Sequence, residues 1–408
     1  MIDVKRYKIA LAFLLIPLGG CDNLFTVEAP GRIANDNLNE IAAFPALVAG
    51  MSADLTDAYD ATANYTLPVT SGELFHSGSY AITDVAKGIL LPEDMNGEWG
   101  QMQQARWVAE SGIERMQGIL SDEQFNSSSL VARAYLYAGL ANRLLGENVC
   151  STTIDGGPEQ PNTVHFERAI EQFTNAIEIG QRAADPITVT AAYGGRASVR
   201  AWMGDWAGAV QDAQQVPVDF SFNILFNSGA GNGNDLYIET HDRYEFSVYN
   251  TIFEDHPDDP RAPWDTVFTG EGEVDTGANG LTPVYQQQKY LSEDADNPAV
   301  KGTGMLVLRA ENALRNGDIG LAYSFMNDAR AFYGMDPLVP ASTIEEAWDD
   351  LHYERGATLW LEGRRLWDLR RWFNAGPSSP AYHPFLEDRD KCLPISEEER
   401  ESNPNLQA

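Results

Sequence analysis

The six histidines of this 408-residue chain are the first residues to test for chemistry, because histidine commonly acts as a general base or a zinc ligand. They are His76, His165, His241, His256, His352 and His383. No two of them have the His-Glu-x-x-His spacing or another compact zinc-ligand spacing. The sequence also contains no Gly-x-Ser-x-Gly turn, phosphate-binding loop or dinucleotide fingerprint. We therefore expect no catalytic residues, no metal site and no cofactor.

Acidic residues offer two further kinds of chemistry. The run Asp255-His256-Pro257-Asp258-Asp259-Pro260 contains carboxylate oxygens of the type that Ca²⁺ binds, although an acidic run broken by prolines is more typical of an exposed turn. Glycoside hydrolysis needs two carboxyl groups at a defined separation. With 60 Asp and Glu residues, the sequence does not single out such a pair.

Aromatic side chains are candidates for binding without catalysis. Their flat faces pack against the apolar side of sugar rings, while neighbouring amides and carboxylates bind the hydroxyls. We predict a ligand platform formed by some of Phe75, Tyr80, Trp99 and Trp264. Further aromatic candidates are Tyr65, Tyr249 and Tyr285, and possible polar neighbours are Asn64, Asn96 and Asn279. Taken singly, each of these aromatic residues is more typical of a packing residue than of a ligand contact.

The charge of the chain restricts its partners. It has 60 acidic and 28 basic residues, a net charge of −32. Nucleic-acid binding requires clustered Lys and Arg, so this charge argues against a nucleic-acid partner, against adsorption to an anionic membrane surface and against a strongly anionic ligand. A hydrophobic content of 43% is too high for a disordered acidic chain, and 408 residues can bury a full core.

A targeting segment precedes this folded body. Its basic residues Lys5, Arg6 and Lys8 are followed by an apolar run over 9–18 and then by Leu18-Gly19-Gly20-Cys21. A membrane-spanning helix needs about 20 apolar residues, so the shorter run predicts a signal peptide over residues 1–20. The ending resembles a bacterial lipoprotein box, in which Cys21 is lipidated; ordinary cleavage beside an incidental cysteine is the alternative. Asp22, which directly follows this cysteine, is compatible with two destinations: retention in the inner membrane or export to the cell surface.

Two cysteines remain in the exported body, Cys150 and Cys392. In an oxidising compartment such a pair can form a disulfide, which we predict here. Two free buried thiols are the alternative.

Helices are predicted to position these candidates. After a tether at 21–37, a single domain is expected over 38–408, with paired helices near 129–176, 188–216 and 305–332. These pairs resemble tetratricopeptide hairpins, with Gly204-Asp205 and Gly317-Asp318 as tight turns. Each pair alone is also compatible with any antiparallel helix pair. Residues 60–95 and 217–303 lack steady periodicity and predict loop-rich insertions, where ordered loops of this length are usually functional.

A last long helix is predicted from a capping box at Thr343 and Glu346 to the Gly376-Pro377 stop. It is apolar almost all round, which indicates a buried helix. Its charges should therefore pair internally, and Arg364–Asp368 and Asp368–Arg371 have suitable spacing. The charged residues are Glu354, Arg355, Glu362, Arg364, Arg365, Asp368 and Arg371.

This helix and the tail carry a resemblance to a known family. The pattern Glu354-Arg355, Leu361-Glu362-Gly363-Arg364-Arg365 and Asp368-Leu369-Arg370-Arg371-Trp372 resembles the C-terminal signature helix of the SusD/RagB family. The tail, with Cys392-Leu393-Pro394-Ile395-Ser396 and Asn403-Pro404-Asn405-Leu406, is similar to its closing segment, and the two occupy 343–408. The resemblance implies a mainly α fold of tetratricopeptide-like helical repeats with long loop-rich insertions. The chain is shorter than many members, chiefly in its loop-rich parts.

The resemblance also implies a function. A member of this family is expected to be a surface-facing lipoprotein of the outer membrane, held there only by its lipid. It binds a nutrient, often a glycan, and delivers it to a SusC-like TonB-dependent transporter without catalysis. Glu362, Arg364 and Asp368 are then structural. The alternative is a tetratricopeptide-type scaffold lipoprotein that binds other envelope proteins, and the sequence does not identify the ligand as a polysaccharide, a peptide or another nutrient.

Overall fold

A computed structural model of the chain describes residues 35–78 and 82–407. The predicted signal peptide, Cys21, most of the tether and Tyr80 lie outside the described residues. The predicted mainly α fold is confirmed, since long helices form the body and the strands are short. None of the helices described is both long and apolar enough to cross a membrane.

The helices follow one another along the whole body. In chain order they are α1 (Phe44–Tyr59), α2 (Leu67–Thr70), α3 (Ile82–Ala86), α4 (Asn96–Ile119), α5 (Asp122–Phe125), α6 (Ser129–Asn148), α7 (Thr163–Arg182), α8 (Pro186–Trp202), α9 (Trp206–Ala213), α10 (Asp235–Tyr237), α11 (Gly302–Arg315), α12 (Ile319–Phe332), α13 (Ile344–Thr358), α14 (Arg365–Asn374) and α15 (Glu397–Ser402).

The strands form small antiparallel pairs. They are β1 (Phe75–His76), β2 (Ser151–Thr152), β3 (Gln160–Pro161), β4 (Ser221–Ile224), β5 (Phe246–Ser247), β6 (Trp264–Thr266), β7 (Tyr285–Gln287) and β8 (Asn297–Lys301). β1 pairs with β5, β2 with β3, β4 with β8, and β6 with β7. Most of these strands lie in the insertions between the helical pairs.

The predicted helical hairpins are α6–α7, α8–α9 and α11–α12, whose helices pack against each other. Gly204 and Gly317 adopt φ angles of +86° and +75°, a left-handed conformation that suits glycine. Asp205 and Asp318 then cap α9 and α12, each accepting a hydrogen bond from the backbone amide three residues further on. The Gly-Asp turns therefore work as the sequence predicted.

Two hydrophobic clusters hold these elements together. The larger lies between α1, α4, α6, α7 and α8 and includes Tyr59, Leu140, Phe166 and Phe173. The second lies between α11, α12, α13 and α14 and includes Trp348. Some apolar residues of the insertions, such as Phe246 in β5, belong to the larger cluster. The insertions are therefore packed onto the helical body.

The prediction of a loop over 60–95 is wrong in its first part. A π-helical segment (Asp60–Thr66) continues α1 directly into α2. Its Thr- and Asn-rich composition has low helix propensity, but Asn64 is fully buried and bonds to Asp60 and Asn297. The hydroxyl of Thr70 donates to the carbonyl of Thr66. Burial in the body thus overrides the local preference for a loop.

The signature segment contains two helices rather than the predicted single one. The capping box at Thr343 and Glu346 is present, but α13 ends at Thr358 and α14 begins at Arg365. In the break, the amide of Leu361 donates to the carboxylate of Glu73 at 2.7 Å. The carbonyl of Leu361 accepts from the hydroxyl of Tyr290 at 3.0 Å. Distant buried side chains thus satisfy backbone groups that a continuous helix would bond internally.

Charged residues of this segment pair inside the protein, as predicted. Asp368 accepts from Arg355 and from Arg371, both at 2.6 Å. The predicted Arg364–Asp368 pair is wrong, because Arg364 lies in the break and its guanidinium contacts Glu147 of α6 at 2.8 Å. Glu362 is buried between the ammonium groups of Lys289 and Lys301, at 2.7 and 2.5 Å. These contacts give the signature residues a structural role.

The C-terminal tail is joined to the end of α6. Cys150 and Cys392 form a disulfide between residues 242 positions apart. Beside it, the amide of Cys150 donates to the carbonyl of Leu393 at 2.9 Å, and the amide of Leu393 donates to Asn148 at 2.7 Å. The tail is therefore fixed to the helical body by both covalent and hydrogen bonds.

Candidate ligand-binding site

Four aromatic side chains lie side by side on the insertions: Phe75, Tyr249, Tyr285 and Trp264. The ring centroids are 5.6 Å apart from Phe75 to Tyr249, 6.2 Å from Tyr249 to Tyr285, and 4.8 Å from Tyr285 to Trp264. All four side chains are half-buried. We call these four residues the aromatic row.

The short strands bring the aromatic row together from three separate parts of the sequence. β1 pairs with β5, which places Phe75 opposite Ser247. β6 pairs with β7, which places Trp264 beside the strand that carries Tyr285. The amide of Val248 donates to the carbonyl of Tyr285 at 2.8 Å and joins these two pairs.

Ser247 fixes the backbone at both tyrosines. Its buried hydroxyl accepts hydrogen bonds from the amides of Tyr249 at 3.2 Å and Tyr285 at 3.0 Å, and it donates to the carbonyl of Pro283 at 2.7 Å. A hydroxyl can fill all three roles because it has one proton and two acceptor sites. A single side chain therefore sets the position of Tyr249 relative to Tyr285.

The row presents both apolar faces and polar groups. The indole Nε1 of Trp264 donates to the carbonyl of Phe253 at 3.0 Å, which fixes the orientation of its ring. Within residues 35–78 and 82–407, the hydroxyls of Tyr249 and Tyr285 have no hydrogen-bond partner. The ring centroids of Tyr285 and Trp264 are only 4.8 Å apart and their planes differ by 33°, so these two rings stack on each other within the aromatic surface. Such a surface can pack against sugar rings and bind their hydroxyls.

The structure brings together only part of the predicted platform. Phe75 and Trp264 belong to the aromatic row, whereas Tyr80 lies outside the described residues. Trp99 is wrongly included, because it is only 4% exposed and its ring packs in the main core. Among the predicted polar neighbours, Asn64 is fully buried and bonded within the protein, so it cannot reach a ligand.

A cavity of about 480 Å³ adjoins the row at Phe75. It lies between β1, α3 and the C-terminal tail, and its lining includes Phe75, Asn250, Thr251, Asn279 and Phe385. The predicted polar neighbour Asn279 is thus near the row. Because Phe75 belongs to both features, a ligand on the row can extend into the cavity, which we call the Phe75 cavity.

Comparisons with known proteins agree with this architecture. Residues 303–407 match the model of the SusD family. No curated protein sequence matches the chain. The chain therefore resembles the SusD family in this C-terminal segment.

Solved SusD-like structures extend this likeness beyond the matched segment. A SusD superfamily protein from Bacteroides vulgatus aligns with a TM-score of 0.67 at 15% identity, covering 90% of this chain and 98% of that one. A putative sugar binding protein from the same species aligns with a TM-score of 0.65 at 16% identity, covering 90% and 97%. A SusD-like carbohydrate binding protein from Bacteroides fragilis aligns with a TM-score of 0.65 at 14% identity, covering 90% and 99%. At these levels of sequence identity, the similarity shows a shared fold and nothing more.

The protein has a second, acidic cavity of about 600 Å³ beside α13. It contains the predicted acidic turn, but Asp259 already binds Arg261 at 2.7 Å and accepts from the hydroxyl of Tyr353 at 3.0 Å. Glu354 binds Arg261 and Arg330. No group of three or more His, Cys, Asp or Glu in the described ranges is arranged to hold a metal ion. The turn therefore has a packing role at Asp259.

Proposed function

We propose that this protein binds a nutrient glycan on the aromatic row without catalysis and delivers it to a SusC-like TonB-dependent transporter. The observation that carries the proposal is the row itself, with four adjacent half-buried rings and two tyrosine hydroxyls that no described residue bonds. Two of the solved structures with this fold are described as sugar or carbohydrate binding proteins, which supports a glycan as ligand.

The geometry favours Tyr285 and Trp264 as the main stacking surface. The two rings stack on each other at 4.8 Å and so support each other, and the hydrogen bond from Trp264 to Phe253 holds the indole in place before binding. A fixed ring loses little conformational entropy when the ligand binds. Tyr249 and Phe75 then contact successive sugar units, and their tilted rings suit a chain that bends along the surface.

The location and partner belong to the same proposal. A lipid on Cys21 would hold the protein on the outer surface of the outer membrane, since its net charge of −32 gives no attraction to anionic lipids. The body then lies where it can cover the transporter and transfer the glycan. The match of residues 303–407 to the SusD family model supports this arrangement.

A binding screen on protein lacking residues 1–21 tests the ligand class. We expect binding to one or more glycans on an array, and loss of that binding in Trp264→Ala and Tyr285→Ala. Trp107→Ala is a suitable control, because Trp107 is 55% exposed and lies outside the row. Binding only to peptides in a parallel peptide array would contradict the glycan proposal.

Affinity capture tests the partner. The protein with Cys21 intact is isolated in mild detergent from the envelope of its own organism, and co-purifying proteins are identified by mass spectrometry. We expect a SusC-like barrel as the main partner. Recovery of envelope assembly proteins in its place would favour the tetratricopeptide-type scaffold, for which the hairpins α6–α7, α8–α9 and α11–α12 provide the structural basis.

A further inference from the structure

The lining of the Phe75 cavity differs in charge from the chain as a whole. The described residues that line it include two basic side chains, Lys87 and Arg389, and no Asp or Glu. Burial lowers the pKa of His76, the third titratable group, whose imidazole lies 3.8 Å from the carboxyl group of Glu245 behind the lining.

The chain has 60 acidic and only 28 basic residues. The second cavity shows the expected composition, with five carboxylates against one arginine, Arg330, and one histidine, His256. The absence of lining carboxylates is therefore a local property of the Phe75 cavity.

Arg389 is the central cation of this cavity. Its Nη2 donates to the carbonyls of Thr70 at 3.2 Å and Ala86 at 2.5 Å, and its guanidinium lies 4.9 Å from the centre of the Phe385 ring. Its Nε is buried without a hydrogen-bond partner. No carboxylate oxygen of the described chain lies within 4 Å of it, whereas Arg261 and Arg371 each contact two carboxylates. Among the residues that the structure describes, Arg389 is thus a positioned guanidinium without a counter-ion.

Lys87 adds a second, more mobile positive charge. Its ammonium group lies 3.1 Å from Asp84, and the two side chains are 62% and 57% exposed. Exposed pairs of this kind contribute little energy, so Lys87 can leave Asp84 to contact a ligand at low cost. The side-chain amide of Asn250, which also lines the cavity, has no hydrogen-bond partner in the part of the chain that the structure describes.

We propose that the Phe75 cavity binds the carboxylate of a uronic acid unit in the glycan. This inference rests on the proposed glycan-binding function, because the neighbouring sugar units lie on the aromatic row. Arg389 binds the carboxylate through Nη1, which makes no hydrogen bond within the described chain, Lys87 attracts it, and Asn250 binds a ring hydroxyl. A planar guanidinium matches the geometry of a carboxylate. The net charge of the chain, which argues against an anionic ligand, does not describe this cavity.

The test compares acidic sugars with their neutral esters, using the chain purified in detergent from its own envelope. Oligogalacturonate and its fully methyl-esterified form are titrated by calorimetry, together with oligomannuronate and its methyl ester. We expect one acidic form to bind at least about ten-fold more tightly than its ester, the size of one charge-assisted hydrogen bond. Arg389→Gln should remove most of this preference by weakening binding of the acid far more than binding of the ester.

Matched variants separate a binding effect from a folding effect. Lys87→Gln, at an exposed position, should reduce the preference for the acid by about two- to five-fold without changing thermal stability. Arg389 also bonds to Thr70 and Ala86, so Arg389→Gln can fail to fold. In that case Lys87→Gln serves as the test variant. Arg182→Gln removes the same charge from an exposed position outside the cavity. It should change neither the affinity for the acid nor the affinity for the ester.

The outcomes distinguish this inference from the function on which it rests. Equal affinity for acid and ester, or binding only to neutral glycans, overturns the uronic acid assignment and leaves glycan binding in place. Binding to a sulfated oligosaccharide but to neither uronate also overturns it. Failure to bind any glycan, acidic or neutral, overturns the proposed function as well.

Discussion

The backbone amide of Tyr285 donates a 3.0 Å hydrogen bond to the side-chain hydroxyl of Ser247, which lies 38 residues earlier in the chain. The same hydroxyl accepts from the amide of Tyr249 and donates to Pro283. Two tyrosines of the aromatic row therefore depend on one buried side chain that makes no contact with the ligand surface itself.

Replacing Ser247 with Ala should disturb the row. The change leaves the amides of Tyr249 and Tyr285 without their partner, which costs about 1–3 kcal/mol for each unsatisfied buried group. We expect lower stability in urea unfolding and weaker glycan binding by the folded fraction, with the indole of Trp264 still in place. Ser402→Ala, which removes an exposed hydroxyl from α15, is the matched control. Unchanged affinity in Ser247→Ala would show that the tyrosine positions do not need this hydroxyl.

Trp99 and Trp107 should respond to mutation in opposite ways. Trp99→Ala opens a large cavity in the main core and should lower the free energy of unfolding by about 3–5 kcal/mol. Trp107→Ala should change it by less than about 0.5 kcal/mol, because Trp107 is largely exposed. Neither change should alter the glycan affinity of folded protein. Loss of binding in a stably folded Trp99 variant would show that Trp99 belongs to the binding site after all.

Glu73 should make the protein less stable as the pH rises. Burial raises the pKa of its carboxyl to about 7 in the folded protein, despite the nearby Arg365 and the hydrogen bond from Leu361. Below pH 4.5 the group is protonated in both states, so it does not affect unfolding. Between pH 4.5 and 7 only the unfolded chain releases the proton, which lowers stability by about 3 kcal/mol.

Glu73→Gln tests this pH dependence. The amide can still accept from Leu361 and cannot ionise, so the variant should gain stability relative to the wild type as the pH rises from 4.5 to 7. Urea unfolding across that range measures the difference, with the exposed Glu387→Gln as a control for net charge. A stability difference that is independent of pH would contradict a raised pKa at Glu73.

The disulfide should contribute strongly to stability because of the length of chain that it closes. Cys150 and Cys392 are 242 positions apart, and a cross-link of this span restricts the unfolded chain. The double variant Cys150→Ser/Cys392→Ser should lose about 2–5 kcal/mol in urea unfolding. Hydrogen exchange at the amide of Leu393 should also become faster. A non-reduced peptide map with both thiols free would contradict the bond.

Local sequence signals predicted the helical hairpins well. A Gly-Asp turn such as Gly204-Asp205 acts within a few residues, through a left-handed glycine and a capping aspartate. The break at Leu361 could not be predicted in this way, since its backbone bonds to Glu73 and Tyr290, which lie far away in the chain. The helical pattern around this break is continuous, so periodicity alone favours one helix.

The candidate site was predicted only in part, for a similar reason. Phe75 and Trp264 were recognised as aromatic residues of the loop-rich regions, but the pairing that joins them to Tyr249 and Tyr285 depends on β1, β5, β6 and β7. The error at Trp99 was avoidable. It begins the apolar stripe of α4, followed at helical spacing by Met102, Ala105, Ala109, Ile113 and Met116, and such a stripe indicates a buried face.

The affinity of the aromatic row for a glycan tests the account most directly. A glycan that the wild type binds on the array is titrated by calorimetry against the wild type, Trp264→Ala, Tyr285→Ala and Trp107→Ala, after each variant is shown to be folded. We predict that Trp264→Ala and Tyr285→Ala each weaken binding by about ten-fold or more, as expected for loss of an aromatic hot spot, and that Trp107→Ala binds as the wild type does. Wild-type affinity in both row variants would contradict the assignment of this surface as the ligand site.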